Sequence, residues 1–212
     1  IPALKPRHPL QEPTKRLIDV FAALSLLIFL APALLVIAAL VRLQDGGPAL
    51  FAHTRVGKGG KAFCCLKFRS MATDAEARLE ALLKTDVGAA EEWARDQKLR
   101  KDPRVTALGR VLRITSLDEL PQLWNILCGQ MSLVGPRPVT NDELGRYGVY
   151  YRHYLAVRPG VTGPWQVSGR NNISYEDRVK LDARYAAEWT VRGDLLIILQ
   201  TVPAVLCKRG AS

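Results

Sequence analysis

An uncharged run of 22 residues, Val20 to Val41, is the feature that most constrains how this 212-residue chain can fold. Only Ser25 and Pro32 interrupt its apolar residues. About 20 apolar residues are enough for a helix to cross the hydrocarbon core of a membrane. The run is apolar on every face, whereas a core helix in so small a domain would have a polar side. The sequence therefore predicts a helical segment inserted in a membrane.

Basic residues lie on both sides of this run. Lys15 and Arg16 precede it, and Arg42 follows it directly. Because Lys and Arg are enriched in the cytoplasmic flanks of membrane helices, a segment that enters and leaves on the same face fits both flanks. Pro32 lies mid-run, where it removes a backbone hydrogen bond and favours a bend. We expect a re-entrant helix-break-helix hairpin over residues 17–45, with a kinked spanning helix as the alternative.

The net charge of the chain indicates which classes of partner it can bind. The chain has 30 Lys and Arg against 20 Asp and Glu, a net charge of +10. This predicts an anionic partner, which is nucleic acid, an anionic membrane or a phosphate-bearing substrate. The basic residues are dispersed and no DNA or RNA module is recognisable, so we expect no nucleic-acid partner. The four cysteines contain no Cys-x-x-Cys pair, which predicts neither a zinc site nor a disulfide framework.

Beyond the apolar run, the pattern predicts an α/β fold that is mostly helical with little sheet. Short β-like pieces surround a turn at Gly57–Gly60 within residues 49–71. Helical spacing begins at Thr73, with a break expected at Gly88. Further helices are expected over residues 116–130, 147–154 and 175–189. The apolar segment 194–206 is too short to span a membrane, and it fits either a helix on the membrane surface or a core helix.

The segment from Arg113 to Asn125 holds the sharpest candidate chemistry. Asp118 and Glu119 precede Pro121, which lacks an N–H and belongs in the first turn of a helix. One interpretation is helix capping, because Ser116 and Glu119 have the spacing of a capping box. The other is a carboxylate nucleophile beside a second carboxylate, a pair able to hold a divalent metal near a phosphorylated substrate.

Two further motifs carry cations suited to phosphate. Arg137 lies between Pro136 and Pro138, and this rigidity lowers the entropic cost of presenting its guanidinium to a phosphate. Lys67 and Arg69 lie in a stretch without acidic residues and are similar candidates. For each of these cations the alternative is a solvated side chain in or near a turn.

Seven short motifs occur in an order that resembles one family. They are Lys15-Arg16-Leu-Ile-Asp19, Gly47-Pro48-x-x-Phe51, Arg55-x-Gly57, Lys67-Phe-Arg69-Ser-Met71, Thr115-Ser-Leu-Asp118-Glu119-Leu-Pro121-Gln122, Met131-Ser-Leu-Val-Gly-Pro-Arg-Pro138 and Pro159-Gly-Val-Thr-Gly-Pro-Trp-Gln166. Each motif is weak alone, but the ordered set is specific and runs through nearly the whole chain. It resembles the bacterial sugar transferases, the monotopic polyprenyl-phosphate phosphoglycosyl transferases.

The resemblance implies a catalytic domain held on the cytoplasmic face of the cell inner membrane. It divides the chain into an N-terminal extension, the hairpin and the cytosolic domain, at residues 1–16, 17–45 and 46–212. Four residues are expected to support the membrane interface: Lys15, Arg16, Asp19 and Pro32. Some members have a serine before the proline, whereas here Ala31 precedes it, so Pro32 alone would have to bend the segment. A homodimer is compatible with the family.

The resemblance also implies a reaction. Asp118 would attack the β-phosphate of a UDP-sugar, releasing UMP, and the phosphate of undecaprenyl phosphate would then take the phosphosugar from the aspartate. Glu119 would assist, and Asp118 and Glu119 would bind Mg²⁺. Contacts to phosphate or substrate are expected from Lys67, Arg69, Arg113, Pro136, Arg137, Pro138, Arg170 and Asn171.

The C-terminal stretch from Gln166 to Asn172 resembles members that transfer a hexose-1-phosphate, most of all galactose-1-phosphate transferases of exopolysaccharide or O-antigen synthesis. The expected donor is therefore UDP-galactose. UDP-glucose as the donor, and a non-catalytic membrane scaffold in polysaccharide assembly, are the alternatives. Arg170 and Asn171 would bond nucleotide or sugar hydroxyls, or else form a polar turn that caps the next helix.

Overall fold

The computed structural model describes residues 2–4, 9–96, 99–168 and 173–206. Within these ranges the fold is mostly helical with little sheet, as expected. The helices are α1 Gln11–Asp45, α2 Ala75–Thr85, α3 Val87–Asp96, α4 Ala107–Thr115, α5 Gln122–Leu127, α6 Asn141–Gly145, α7 Tyr151–Leu155, α8 Pro164–Val167, α9 Tyr175–Glu188 and α10 Val191–Leu206. The strands are β1 Leu50–Val56, β2 Ala62–Phe68, β3 Ser132–Val134 and β4 Gly160–Thr162.

The strands form two separate two-stranded sheets. β1 and β2 are an antiparallel hairpin in register from Leu50 opposite Phe68 to Val56 opposite Ala62. Its turn passes through Gly59 and Gly60 with φ of 71° and 80°, a left-handed conformation that glycine adopts without steric cost. β3 and β4 pair in parallel, and the chain between them includes α6 and α7. The hairpin around the glycine turn was predictable from sequence, whereas the parallel pair was not.

α1 is a single helix that continues through Pro32. The structure corrects the predicted break, because residues on both sides of the proline belong to one helix. A proline removes one backbone N–H, and the remaining hydrogen bonds of so long a helix maintain it, as they do in membrane helices. Ala31 also lacks a hydroxyl that could bond to the backbone and open the helix. α1 is long and apolar enough to cross a membrane, and only 6% of its most apolar window is buried.

Both halves of α1 pack against the rest of the described chain. In the first half, Ala23 is fully buried in a cluster with Phe63 of β2 and Ile126 of α5. In the second half, Val41 is fully buried against Phe68 and Leu112. Many apolar side chains of α1 are exposed, and they include Phe21, Ile28, Phe29, Leu35 and Leu43. The helix therefore lies along the domain and contacts it near both of its ends.

Two helical regions differ in detail from the expectation. The break between α2 and α3 lies at Asp86 and not at Gly88, because Asp86 is extended and its carboxylate accepts the N–H of Ala89 at the start of α3. α10 is neither wholly core nor wholly surface. Ile198 packs toward Trp189, while a row of apolar side chains faces outward: Leu195, Leu196, Leu199 and Val202.

Candidate active site

Asp118 and Glu119 lie in a short 3-10 turn between α4 and α5. Ser116, which precedes the turn, has φ of 57° and is the one non-glycine residue with positive φ in the part of the chain that the structure describes. No side chain caps the 3-10 turn, and none caps α5 after Pro121. The capping interpretation is therefore wrong, because the expected bond from the Ser116 side chain is not made. The two carboxylates lie beside a strained backbone position, a feature that is common near functional sites.

Asp118 is only 8% exposed, although it is an acid. Burial raises the pKa of its carboxyl group, and the positive charge of Lys67 opposes this rise. The negative charge of Glu119 raises the same pKa further, and Arg113 lowers it. The carboxylate of Asp118 is thus poorly solvated but surrounded by cations, an environment that suits a nucleophile directed at a phosphate.

Glu119 lies between two cations contributed by distant segments. Its Oε1 is 2.7 Å from the Nζ of Lys67 on β2 and 3.9 Å from the Nη2 of Arg137 after β3. The sequence placed these residues in three separate motifs. The structure brings them together at Glu119, next to Asp118, so that the acidic pair is flanked by cations able to contact phosphate oxygens.

The backbone around Arg137 is held on both sides. The N–H of Gly135 donates to the carbonyl of Thr162, and the N–H of Gly160 donates to that of Pro136. Beyond the second proline, the N–H of Val139 donates to the hydroxyl of Tyr154. The rigidity expected from the two prolines is therefore reinforced by hydrogen bonds that only the folded chain provides.

Glycine residues allow the loop that carries Arg137 to pack closely against the segment from Gly160 to Trp165. A Cβ on Gly160 would lie 2.1 Å from the amide nitrogen of Gly135, and one on Gly163 would lie 2.1 Å from the carbonyl oxygen of Gly135. Only glycine permits this approach of two backbones. It brings the ring of Trp165 beneath Arg137, with 5.5 Å from the guanidinium carbon to the ring centroid. The glycines in the two Gly-Pro motifs were the sequence signal for this contact.

Two of the expected phosphate ligands have other partners. Arg113 donates from Nε to the hydroxyl of Ser70 at 2.8 Å, and its charge still lowers the pKa of Asp118. Arg69 pairs with Asp45 at 2.5 Å and donates to the carbonyl of Val41. Arg69 thus lies at the C-terminal end of α1, where a cation is favoured by the helix dipole. The structure does not bring it to the acidic pair.

Three of the expected interface residues attach the start of α1 to the domain. Lys15 contacts Asp194 of α10 at 2.5 Å and the carbonyl of Val134 at 3.0 Å. Arg16 donates to the last carbonyls of α5, at 2.7 and 3.0 Å. Asp19 is buried and accepts the N–H of Leu133. These side chains are directed into the protein, while Pro32 lies in the middle of α1. Arg170 and Asn171 lie outside the described residues.

The stretch from Tyr175 to Asp182 contributes to the family resemblance, but the sequence assigned no role to the buried polar group that it forms on α9. Asp182 is fully buried, accepts a 2.8 Å hydrogen bond from the hydroxyl of Tyr147, and lies 3.9 Å from the Nε of Arg178. Burial raises the pKa of Asp182 to about 6. The i,i+4 spacing of Arg178 and Asp182 on a helix was the available signal.

The acidic pair supplies two of the ligands that the Mg²⁺ implied by the resemblance would need. Among the described residues no three His, Cys, Asp or Glu side chains converge on one point, so Asp118 and Glu119 stand as a pair. Mg²⁺ is commonly held by one or two carboxylates together with substrate phosphates and water. The pair therefore fits a magnesium ion that binds with a diphosphate substrate, and it is too small a donor set to hold the ion alone.

Comparison with known proteins identifies the family. Residues 10–208 match the model of the bacterial sugar transferases. The chain belongs to the bacterial sugar transferase family. It is 48% identical over 197 residues to an undecaprenyl-phosphate galactose phosphotransferase of Salmonella typhimurium, covering 93% of this chain but 41% of that protein. The chain thus spans about two-fifths of the length of this relative.

Two other relatives are covered over most of their length. The chain is 48% identical over 204 residues to the exopolysaccharide production protein ExoY of Rhizobium meliloti, covering 96% of this chain and 90% of that one. It is 40% identical over 220 residues to a UDP-glucose:undecaprenyl-phosphate glucose-1-phosphate transferase of Caulobacter vibrioides, covering 98% and 77%. The matched regions contain the whole acidic site of this chain.

Proposed function

We propose that this bacterial sugar transferase moves a hexose-1-phosphate from a UDP-sugar to undecaprenyl phosphate, as the first membrane step of exopolysaccharide synthesis. The observation that carries the proposal is the buried carboxylate of Asp118 beside Glu119, with the charges of Lys67 and Arg113 acting on Asp118 and with Lys67 and Arg137 next to Glu119. Such a site can attack and neutralise a diphosphate. A purely scaffolding protein has no need of a desolvated acid surrounded by cations.

In the first step, one carboxylate oxygen of Asp118 attacks the β-phosphorus of the UDP-sugar. The bond between this phosphorus and the oxygen that bridges the two phosphates breaks, and its electron pair leaves with UMP. The product on the protein is an acyl phosphate that carries the hexose. Splitting the transfer in two lets each phosphate approach the same site separately, which reduces the repulsion between anions.

In the second step, a phosphate oxygen of undecaprenyl phosphate attacks the same phosphorus. The bond from phosphorus to the oxygen of Asp118 breaks, which restores the carboxylate and yields undecaprenyl-diphosphate-hexose. Lys67 and Arg137 are placed to stabilise charge on the phosphate oxygens in both steps. When Mg²⁺ binds with the diphosphate at Asp118 and Glu119, it supplies further neutralisation of the phosphate charge.

We propose UDP-galactose as the donor. A relative whose printed name specifies galactose is 48% identical to this chain, and one whose name specifies glucose is 40% identical. Glucose and galactose differ in the orientation of one hydroxyl, so UDP-glucose is the second candidate.

The test is UMP release by purified protein in nanodiscs that contain undecaprenyl phosphate and Mg²⁺, with a panel of UDP-sugars. We expect release with UDP-galactose to exceed that with UDP-glucose and with UDP-N-acetylhexosamines by at least about ten-fold, the scale on which one well-placed hydrogen bond discriminates. Release with another donor would overturn the galactose assignment and keep the reaction. Folded protein that releases no UMP from any donor would support the scaffold alternative.

We also propose that α1 is embedded in the membrane with both of its ends on the cytoplasmic side. A straight helix of this length extends about 52 Å. Its first half packs on α5 and β2, and its second half packs on β2 and α4. A helix that crossed the bilayer would carry one half out of reach of the domain. The outward apolar row of α10 adds a second surface suited to lipid.

The orientation of α1 is testable with Thr14→Cys and Gln44→Cys, two exposed positions near its ends, in a background without native cysteines. We expect a membrane-impermeant maleimide to label both in inverted inner-membrane vesicles and neither in sphaeroplasts. Lys84→Cys, exposed on α2, is the control for the cytoplasmic side. Labelling of one end in each preparation would mean that the helix spans the membrane.

A further inference from the structure

The ring of Trp165 is contacted by two guanidinium groups of different exposure. Arg137 lies over it at 5.5 Å and is 39% exposed in its side chain. Arg178 of α9 lies over it at 4.9 Å and is 9% exposed. A cation over the face of a tryptophan is attracted by the ring quadrupole, most strongly where water is excluded. Trp165 therefore links a buried cation to the cation that borders the acidic pair.

The side chain of Arg137 is less constrained than its backbone. Within the part of the chain that the structure describes, its guanidinium has two contacts, the Trp165 ring and Glu119 at 3.9 Å. A separation of 3.9 Å is too long for a hydrogen bond. Since Lys67 already makes the short ion pair with Glu119, the ring is the contact that sets where the Arg137 guanidinium lies.

Arg178 in turn fixes the ring. Its Nε and Nη2 are buried without a hydrogen-bond partner among the described residues, and Asp182 is 3.9 Å away. A buried guanidinium edge without hydrogen-bond acceptors is costly, and the carboxylate of Asp182 together with the rings of Trp165 and Tyr175 offsets part of that cost. Asp182 is itself held by the hydroxyl of Tyr147. The contact with Arg178 thus connects the Trp165 ring to α9.

We propose that Trp165, fixed by Arg178, is a positioning residue that aims the Arg137 guanidinium at the phosphate transferred beside Asp118. The inference rests on the proposed function, since it names a role within that reaction. Without the ring, the Arg137 guanidinium would be able to form a short ion pair with Glu119. Its charge would then be neutralised by that carboxylate and would no longer stabilise the phosphate of the donor. The effect is therefore expected on the use of the donor and not on the fold.

The test is a double-mutant cycle on kcat/KM for the UDP-sugar, measured by UMP release in nanodiscs. We expect Trp165→Leu to lower kcat/KM about ten-fold and Trp165→Phe, which keeps a ring face, about three-fold. In an Arg137→Gln background, Trp165→Leu should change kcat/KM by less than about two-fold, because the group that it positions is gone. Trp93→Leu, which removes the matched contact between Trp93 and Arg104 outside the site, should leave kcat/KM unchanged.

The possible failures are distinguishable. If the wild-type protein turns over and Trp165→Leu costs the same factor with Arg137 as without it, Trp165 is structural and the positioning role is overturned. If Trp165→Leu does not fold, Trp165→Phe in both backgrounds gives the same comparison. If the folded wild-type protein releases no UMP from any donor, the proposed function fails, and this role fails with it.

Discussion

Asp118→Asn is expected to lower UMP release by at least about a thousand-fold, the scale seen when a covalent nucleophile is removed. Asparagine has nearly the shape of aspartate but is neutral, so its amide oxygen is a poor nucleophile and cannot form the acyl phosphate. The measurement is kcat for UMP release with each of the UDP-sugars. Because the loss is chemical, it should appear with every donor and at saturating acceptor.

The same substitution should leave folding and membrane association intact. Burial penalises the charged form of Asp118, so a neutral amide at this position removes a desolvation cost. We therefore expect the melting temperature of Asp118→Asn in detergent to equal or exceed that of the wild type, a common trade between stability and activity. Asp142→Asn, at an exposed position on α6, is the matched control and should keep wild-type turnover. Turnover retained in Asp118→Asn would remove this residue from the role of nucleophile.

Gly160→Ala is expected to lower the stability of the fold strongly. The added Cβ would lie 2.1 Å from the amide nitrogen of Gly135 and 2.5 Å from the carbonyl oxygen of Thr162, and backbone atoms cannot yield as a flexible side chain can. Overpacking of this kind costs about 3 kcal/mol or more. For a chain of this length, this corresponds to a fall in melting temperature of about 6–12 °C. The measurement is thermal unfolding in detergent, followed by UMP release from the protein that stays folded.

A matched control is available on α6. Gly145→Ala adds the same methyl group where no atom lies within 4 Å, so the melting temperature should stay the same or rise slightly. Activity should fall in Gly160→Ala even below its melting temperature, because separating β3 from β4 moves Arg137 away from Trp165. A melting temperature of Gly160→Ala within 2 °C of that of Gly145→Ala would contradict the close backbone contact.

The predictions from sequence succeeded where the information is local. The apolar run predicted α1, and the glycine turn predicted the hairpin of β1 and β2. The acidic pair and the proline-flanked Arg137 were identified as candidates from motifs, and the structure places them within one site. Spacing along a few residues encodes such features, because helix periodicity, turn conformation and backbone rigidity are properties of short segments.

The predictions from sequence were wrong or incomplete where a contact depends on residues that are distant in the chain. Lys67 and Arg69 look alike in sequence, yet one meets Glu119 and the other meets Asp45. The break expected at Pro32 is not seen because the segment is one continuous helix, and the packing of both halves of that helix on the domain is set by the tertiary structure. No local sequence pattern predicts these contacts, since each depends on which surfaces the fold brings together.

The sequence by itself determined that the chain has a helix long and apolar enough to cross a membrane, a basic character suited to phosphates, and an Asp-Glu pair ahead of a proline-started helix. Only the tertiary structure decided which cations surround that pair, that Lys15 pairs with Asp194, 179 residues away, and that Trp165 lies between Arg137 and α9. The physical reason is that composition and short-range spacing set the conformation of a segment. Charge pairing and burial depend on the packing of whole elements, which the order of residues specifies only through the complete fold.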